Sequence, residues 1–433
     1  MTNANDFAAR TDSETIERAL AQLDGERTLL IPPRVSEIEP ERDFRLLDRA
    51  ILLESDTTVV LRNCKIKLSD ACRDNFFRSA NCGLGIEDPA PAQNIHIRGE
   101  GTCTLEGADH PRATGDSSKR QHAPCPHEPA DIARLADWVP AERRTTEKIG
   151  FWDIHNHSYG TDALRPEESQ WGDWRGIGIL LANVTHFSVE NLRLVCTHGW
   201  GISLEACSYG RVERIDFDST MYKVIDGMKM NMENQDGIDL RNGCHHITVS
   251  DITGQTGDDV IALTAIANPG NPYKPGGSLR TTHVMHNDWT RRDPDIRDVI
   301  IRNVIAHSYL CYVVRLLPAN THIRNVVIDG VIDTAPRIHE HGGTLLLGEG
   351  DAAYGANVPD GLKSITISNV ICASRRAISL PGYLQDSSIT NVVNRNPACP
   401  VITAVRENAM KNVAVTGCVT AESAAGNTRL ENF

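Results

Sequence analysis

Four aspartates in two short segments are the residues best placed for chemistry. Asp236 and Asp239 lie in "NQDGIDL" (234–240), and Asp258 and Asp259 lie in "TGDDVIAL" (256–263). Both segments are otherwise apolar enough for core strands, where aspartate is depleted and seldom buried without a partner. Crowded carboxylates raise one another's pKa, and a protonated carboxyl beside an ionised one is the pair that acid/base cleavage of an acetal needs. Two plainer readings compete. Aspartates serve widely as hydrogen-bonding corner residues, and clustered carboxylates also hold hard cations such as calcium.

A repeat supplies the means of bringing the two segments together. A five-residue unit, x-small-Ile-x-aliphatic, recurs as "RGIGI" (175–179), "WGISL" (200–204), "DGIDL" (236–240), "DVIAL" (259–263), "YVVRL" (312–316), "GTLLL" (343–347) and "RAISL" (376–380). Between the copies run strands with a small or Asn-containing kink, such as "FSVENLRL", "VIIRNVIA" and "ITISNVIC". Successive copies are 25, 36, 23, 53, 31 and 33 residues apart, a period that signals a solenoid. Short β-branched strands with polar corners make it an all-β solenoid, a parallel β-helix, in which coils stacked about 4.8 Å apart share one core. A β-sandwich is the alternative, but its strands come every 8–12 residues or so without coil-length repetition.

Stacking the units places Asp236 and Asp259 at the same position of consecutive coils. The outward position further along reads Ser203, Asp239, Ala262 and Arg315 on successive coils. The acids should therefore meet in one water-accessible groove. The whole chain, 1–433, reads as a single β-helix domain. A capping helix signal lies within about 11–30, where Thr11, Asp12 or Ser13 precedes Ile16, Ala19, Leu20 and Leu23. Two long insertions, 107–174 and 264–298, fall beside the groove. They carry Trp138, Trp152, Trp171, Trp174 and Trp289 with Lys274, Arg280, Arg291 and Arg292, a combination suited to a sugar acid.

Composition narrows the classes. With 40% hydrophobic and 23% charged residues the chain is globular, and a formal net charge of -13 disfavours nucleic acid or anionic membrane as partner. No apolar run reaches the length of a membrane span, and the N-terminus lacks the basic and apolar regions of a signal peptide. The 12 cysteines show no metal-binding spacing, and Cys196, Cys244, Cys311 and Cys372 lie in or beside apolar strands. These features point to a reduced, cytoplasmic protein.

The β-helix reading, "NQDGIDL" and the following "TGDDVIAL" together resemble glycoside hydrolase family 28, the polygalacturonase family of the right-handed, pectin-lyase-like β-helices. Its hallmark is Asn-x-Asp-Gly-x-Asp followed one coil later by Gly-Asp-Asp. "NIHIRGEGTCTLEG" (94–107) and the coils from "NVTHFSVENLRL" onward extend the likeness over most of the chain. The resemblance implies Asp258 as general acid, Asp236 and Asp259 as the pair that holds and activates water, and an inverting mechanism. Asn234 matches the motif's asparagine, a substrate or positioning contact. Two departures concern the substrate. Where the family carries Gly-His-Gly, this chain reads "AHSYLCYVVRLLP", with Tyr312 in the histidine's register and His307 nearby. The family's Arg-Ile-Lys is also missing, Arg315 being the nearest candidate. Those groups contact a sugar carboxylate in polygalacturonases, so the reaction class carries over better than galacturonic acid.

The expectation is thus a glycoside hydrolase acting on pectin-related or other acidic oligosaccharides, with exo action favoured by the insertions and with no metal or cofactor. Asp236, Asp258 and Asp259 are the catalytic candidates. Asn234, Asp239, His198, His307, Tyr312, Arg315 and Arg280 are the substrate-binding candidates. Glu205 extends "WGISL" as an outward polar residue, and His155 and His157 form an unremarkable loop pair. A polysaccharide lyase or epimerase on the same scaffold, and a non-catalytic carbohydrate-binding β-helix, remain the alternatives.

Overall fold

Alternating apolar residues on short strands can be buried only if each coil is covered by the next. The computed structural model shows this arrangement. It describes residues 1–36, 39–70, 72, 74–83, 86, 88–109, 176–197, 199–220, 222–225, 228–231, 235–266, 284–285, 292–336, 342–350 and 355–421. Among them the chain forms a right-handed parallel β-helix built from a 16-stranded and a 10-stranded parallel sheet, plus a two-stranded antiparallel hairpin, Tyr222–Ile225 with Met228–Asn231. One continuous core runs between the sheets, from Leu29 and Leu47 through Val189, Ile202, Leu240 and Leu263 to Ile389 and Ile402.

The longer sheet turns its corners inside continuous strands, and the kinks in the sequence mark where. In Val184–Val195 the backbone enters the left-handed region at His186 and at Asn191. The register repeats both bends from coil to coil. His186 lines up with Tyr209, His246, Asp298 and Asn325, and Asn191 with Arg214, Asp251, Asn303, Gly330, Asn369 and Asn391, all at positive φ. Asn and Asp tolerate this region because their short side chains hydrogen-bond locally. Asn303 Nδ2 donates to Asp251 Oδ1 at 3.0 Å, and Asn325 Nδ2 to Asp298 Oδ1 at 2.9 Å.

At the N-terminal end, the α-helix Asp12–Leu20 is capped by Thr11, whose side chain accepts from the Glu14 N–H. Its Ile16 and Ala19 join the core beside the first coils. Asp12 on this helix is clamped by Arg34 and Arg42, at 3.1 and 2.6 Å. The insertions expected at 107–174 and 264–298 lie largely outside the described residues. At the second, the ladder continues further than the sequence suggested: the strand Ile261–Ile266 pairs through Thr264, Ala265 and Ile266 with Leu317, Pro318 and Ala319.

The shorter sheet carries the repeated unit. Trp200 through Leu204, Asp236 through Leu240, Asp259 through Leu263, Tyr312 through Leu316, and Gly343 through Leu347 stack in register. The first copy differs. Ile179 pairs with Ile202, so Ile177 rather than Arg175 stands level with Trp200. "RGIGI" and "IGILL" both fit the pattern, and a slip of two residues leaves the inward and outward sense unchanged. Ladder pairing decides for the second.

Candidate active site

The four aspartates converge on the outer face of the shorter sheet. Two glycines set their height. A Cβ on Gly201 would lie 2.8 Å from the Phe217 ring, and one on Gly237 would lie 2.4 Å from the Val260 carbonyl oxygen and 3.1 Å from that ring. Phe217 thus fills the interior beneath the "WG" and "DG" steps, and the residues preceding the glycines, Trp200 and Asp236, sit at equivalent places on adjacent coils. The Gly201 N–H donates to the Asp236 carbonyl and the Gly237 N–H to the Asp259 carbonyl, both at 2.8 Å. Asp236 and Asp259 are therefore one rung apart, and the neighbouring row reads Ser203, Asp239, Ala262 and Arg315, as the stacking of the sequence required.

The corner holding Asp258 is fixed from several sides. Thr256 Oγ1 donates to the Asp258 carbonyl at 2.6 Å, and the Gly257 N–H donates to the Gln235 carbonyl at 3.1 Å. Gln235 Nε2 in turn donates to the Thr197 carbonyl at 2.6 Å. Asp258 Oδ1 accepts the Asp259 N–H at 2.9 Å. Asp259 is the most firmly held carboxylate. Its Oδ1 accepts the Tyr312 N–H at 2.8 Å, and its Oδ2 lies 3.1 Å from Arg315 Nη1.

The groove is less open than the sequence implied. Asp236, Asp239 and Asp259 are 7%, 1% and 0% exposed. Only Asp258 is partly exposed. Burial disfavours the charged form of a carboxyl group. It pushes Asp236 well above the carboxylate range, with Asp258, Asp239 and Asp259 adding like charge. It does the same to Asp239, against the pull of Arg241. It raises Asp259 to about 7, with Arg315 opposing and Asp258 reinforcing the rise. Asp236 Oδ1, Asp239 Oδ2 and Ser203 Oγ are buried without a hydrogen-bond partner among the described residues. Buried polar atoms are nearly always satisfied, so such a set marks a functional site more readily than a structural one.

The remaining candidates divide. Arg315 and Tyr312 are brought to the carboxylates, Tyr312 through its backbone N–H; the edge of its ring lies over Gly343. His307 stands on the adjoining row of the longer sheet, level with Gln255, with its Nδ1 3.0 Å from Thr334 Oγ1 and its ring against Tyr309. Asn234, His198 and Arg280 lie outside the described residues, as do Lys274, Arg291, His155, His157 and the tryptophans other than Trp200.

Three participants escaped the sequence reading. Arg241 is fully buried with its guanidinium 4.6 Å from the Trp200 ring centre, and its positive charge faces Glu205, Asp239 and Asp236. It continues the outward alternation Asp239, Arg241, which was the available signal. Glu349 forms an ion pair with Arg315 Nη2 through Oε2. Its signal was an acid flanked by glycines just after "GTLLL". Glu205, read only as an outward polar residue, is 1% exposed and accepts the Val284 N–H at 2.9 Å, which ties that part of the chain to the sheet.

Asp258, Asp259 and Cys311 bring ligand atoms within 4.8 Å of one another. The donor set suits a metal poorly. Asp259 is committed to Tyr312 and Arg315, and burial with the neighbouring aspartates pushes the Cys311 thiol up, away from the thiolate that binds soft ions.

No family model matches the chain, and no curated protein sequence matches it. Solved structures do. A family 28 exopolygalacturonase from Yersinia enterocolitica superposes with a TM-score of 0.52 over 96% of this chain and 77% of its own, at 13% identity. A mutant tailspike protein of E. coli bacteriophage HK620, in complex with a pentasaccharide, gives a TM-score of 0.53 over 98% of this chain and 67% of its own, at 12% identity. The surface adhesin PfbA of Streptococcus pneumoniae gives 0.52 over 97% and 89%, at 12% identity. At these identities the likeness establishes the fold, and the chemistry has to be argued from the site.

Proposed function

We propose that the protein is a glycoside hydrolase of the polygalacturonase type, cleaving oligosaccharides by acid/base catalysis with inversion. The observation that carries this reading is the in-register stack of Asp236 and Asp259 on consecutive coils with Asp258 beside them, the first two buried enough that Asp236 is raised well above the carboxylate range and Asp259 to about 7. Asp258, the least buried residue of the three, hands a proton to the leaving oxygen. Asp259, anchored by Tyr312 and Arg315 and raised to about 7, accepts the proton of the attacking water, since a base works best with a pKa near the operating pH. Asp236, whose protonated form burial favours, orients that water by donating a hydrogen bond. The sequence motif pair and the fold shared with an exopolygalacturonase support the assignment.

The test is a panel of defined α- and β-linked oligosaccharides, with products followed by NMR. Release of reducing sugar of inverted anomeric configuration, abolished by Asp258→Asn, is the expected result. Unsaturated uronate products would replace the hydrolase by a lyase. Binding without any turnover would leave a carbohydrate-binding β-helix.

A further inference from the structure

We infer that Glu349 tunes this site to a neutral sugar, excluding a substrate carboxylate from the position beside Arg315. The inference rests on the hydrolase reading above and adds the substrate class to it. Arg315 is the residue that a uronic acid would be expected to meet, and here both ends of its guanidinium are engaged: Nη1 with Asp259 and Nη2 with Glu349. The other arginine of the cluster, Arg241, is fully buried beside Trp200 and faces Glu205, Asp239 and Asp236. With burial favouring the neutral forms of Asp236 and Asp239, and with Asp258 holding the catalytic proton, three acids among the described residues, Asp259, Glu205 and Glu349, offset these two arginines. An arriving carboxylate finds no surplus positive charge there to meet it.

Glu349 is also held in place. Gly348 before it adopts φ +97, and a Cβ there would lie 2.3 Å from Gly382 Cα, so this sharp step admits only glycine. The Glu349 N–H donates to Asn357 Oδ1 at 3.0 Å, and its carbonyl accepts from Asn357 Nδ2. Glu349 Oε1 accepts the Gly350 N–H at 2.7 Å, which leaves Oε2 for Arg315. For a uronate to bind Arg315 it would have to displace a carboxylate that is preorganised and only 11% exposed, leaving that charge buried and unpaired. Removing one partner of such a pair is costly, so the exchange favours the resident acid. A hydroxymethyl or methyl group in place of the sugar carboxylate meets no such competition.

The experiment uses uronic-acid oligosaccharides and their carboxyl-reduced counterparts, matched in ring and linkage. Binding to Asp258→Asn protein is measured by calorimetry, and turnover is measured with the wild type. The expected result is at least about tenfold tighter binding of the neutral member, with the ratio falling about tenfold in protein that also carries Glu349→Gln. Equal or tighter binding of the acidic member overturns the inference, as does a ratio unmoved by Glu349→Gln or failure of every probe to bind. Because the comparison of the two ligands does not need the Glu349 variant, it stands if that variant fails to fold. Neutral preference in binding without cleavage of either member would overturn the hydrolase reading alone. Cleavage with acidic preference would overturn this inference alone.

Discussion

Aspartates occupy both sheets of the β-helix, and the two settings drive them in opposite directions. On the longer sheet, Asp329 accepts from Ser368 Oγ at 2.5 Å and Asn369 Nδ2 at 2.7 Å, and those donors hold it below the usual carboxylate range. Asp386 is lowered by Asn412 and Gln385. On the shorter sheet, Asp236 and Asp239 are buried, each has an oxygen without a partner among the described residues, and both are raised. The same residue type on neighbouring walls of one solenoid thus does two jobs. On one wall the acid accepts hydrogen bonds from side chains at or beside the left-handed corners. On the other it is left short of partners, a cost to folding that makes sense only if something else is gained.

The contrast can be broken in graded steps. Asp258→Asn or Asp236→Asn should lower kcat by about 10²–10⁴-fold in the oligosaccharide assay while the fold survives, whereas Asp329→Asn should leave kcat unchanged. Gly237→Ala should destabilise by about 2–4 kcal/mol in chemical denaturation, because the added methyl meets the Val260 carbonyl oxygen at 2.4 Å and the next coil cannot move away.

The pH dependence of stability should separate the walls next. Asp259 has a folded pKa of about 7, above its ordinary 3.8, so the folded state binds more protons between those values. Its contribution is favourable below about pH 4 and is lost as pH rises through about 7. Asp259→Asn should therefore gain stability relative to wild type by more than about 1 kcal/mol between pH 4 and 8. Asp329→Asn, which removes a lowered carboxylate, should instead lose stability relative to wild type as pH rises toward about 4. The smallest effect belongs to the corners. Asn325→Ala removes one hydrogen bond to Asp298 and a residue suited to positive φ, and should cost about 1 kcal/mol in denaturant titration.

Much of the positioning was legible in the sequence because a ladder carries register along the chain. Because "DGIDL" and "DVIAL" are the same unit, the pairing of Asp236 with Asp259 and the row Ser203, Asp239, Ala262, Arg315 follow from the spacing. The first copy was displaced by two residues because an alternating strand looks the same after such a slip. The partners of the acids were not legible. Arg241 folds back one coil onto Trp200, and Glu349 comes from the coil beyond Arg315. Nothing in a one-dimensional pattern says which way a long side chain leans. Nor does spacing report burial: Asp236 and Asp259, which the stacking assigns to a water-accessible groove, are 7% and 0% exposed.

Burial on the shorter sheet raises Asp236, Asp239 and Asp259 above the usual carboxylate range, while side-chain donors on the longer sheet hold Asp329 and Asp386 below it. Carboxyl-carbon NMR titration of aspartate-labelled protein tests this contrast directly, with resonances assigned by single Asp→Asn variants. The expected result is that Asp259 changes ionisation near pH 7 and Asp236 well above the usual carboxylate range, whereas Asp329 and Asp386 do so below it. If Asp236 and Asp259 instead titrate together with the corner aspartates in acid, the shorter sheet holds no poised acid/base set and the account is contradicted.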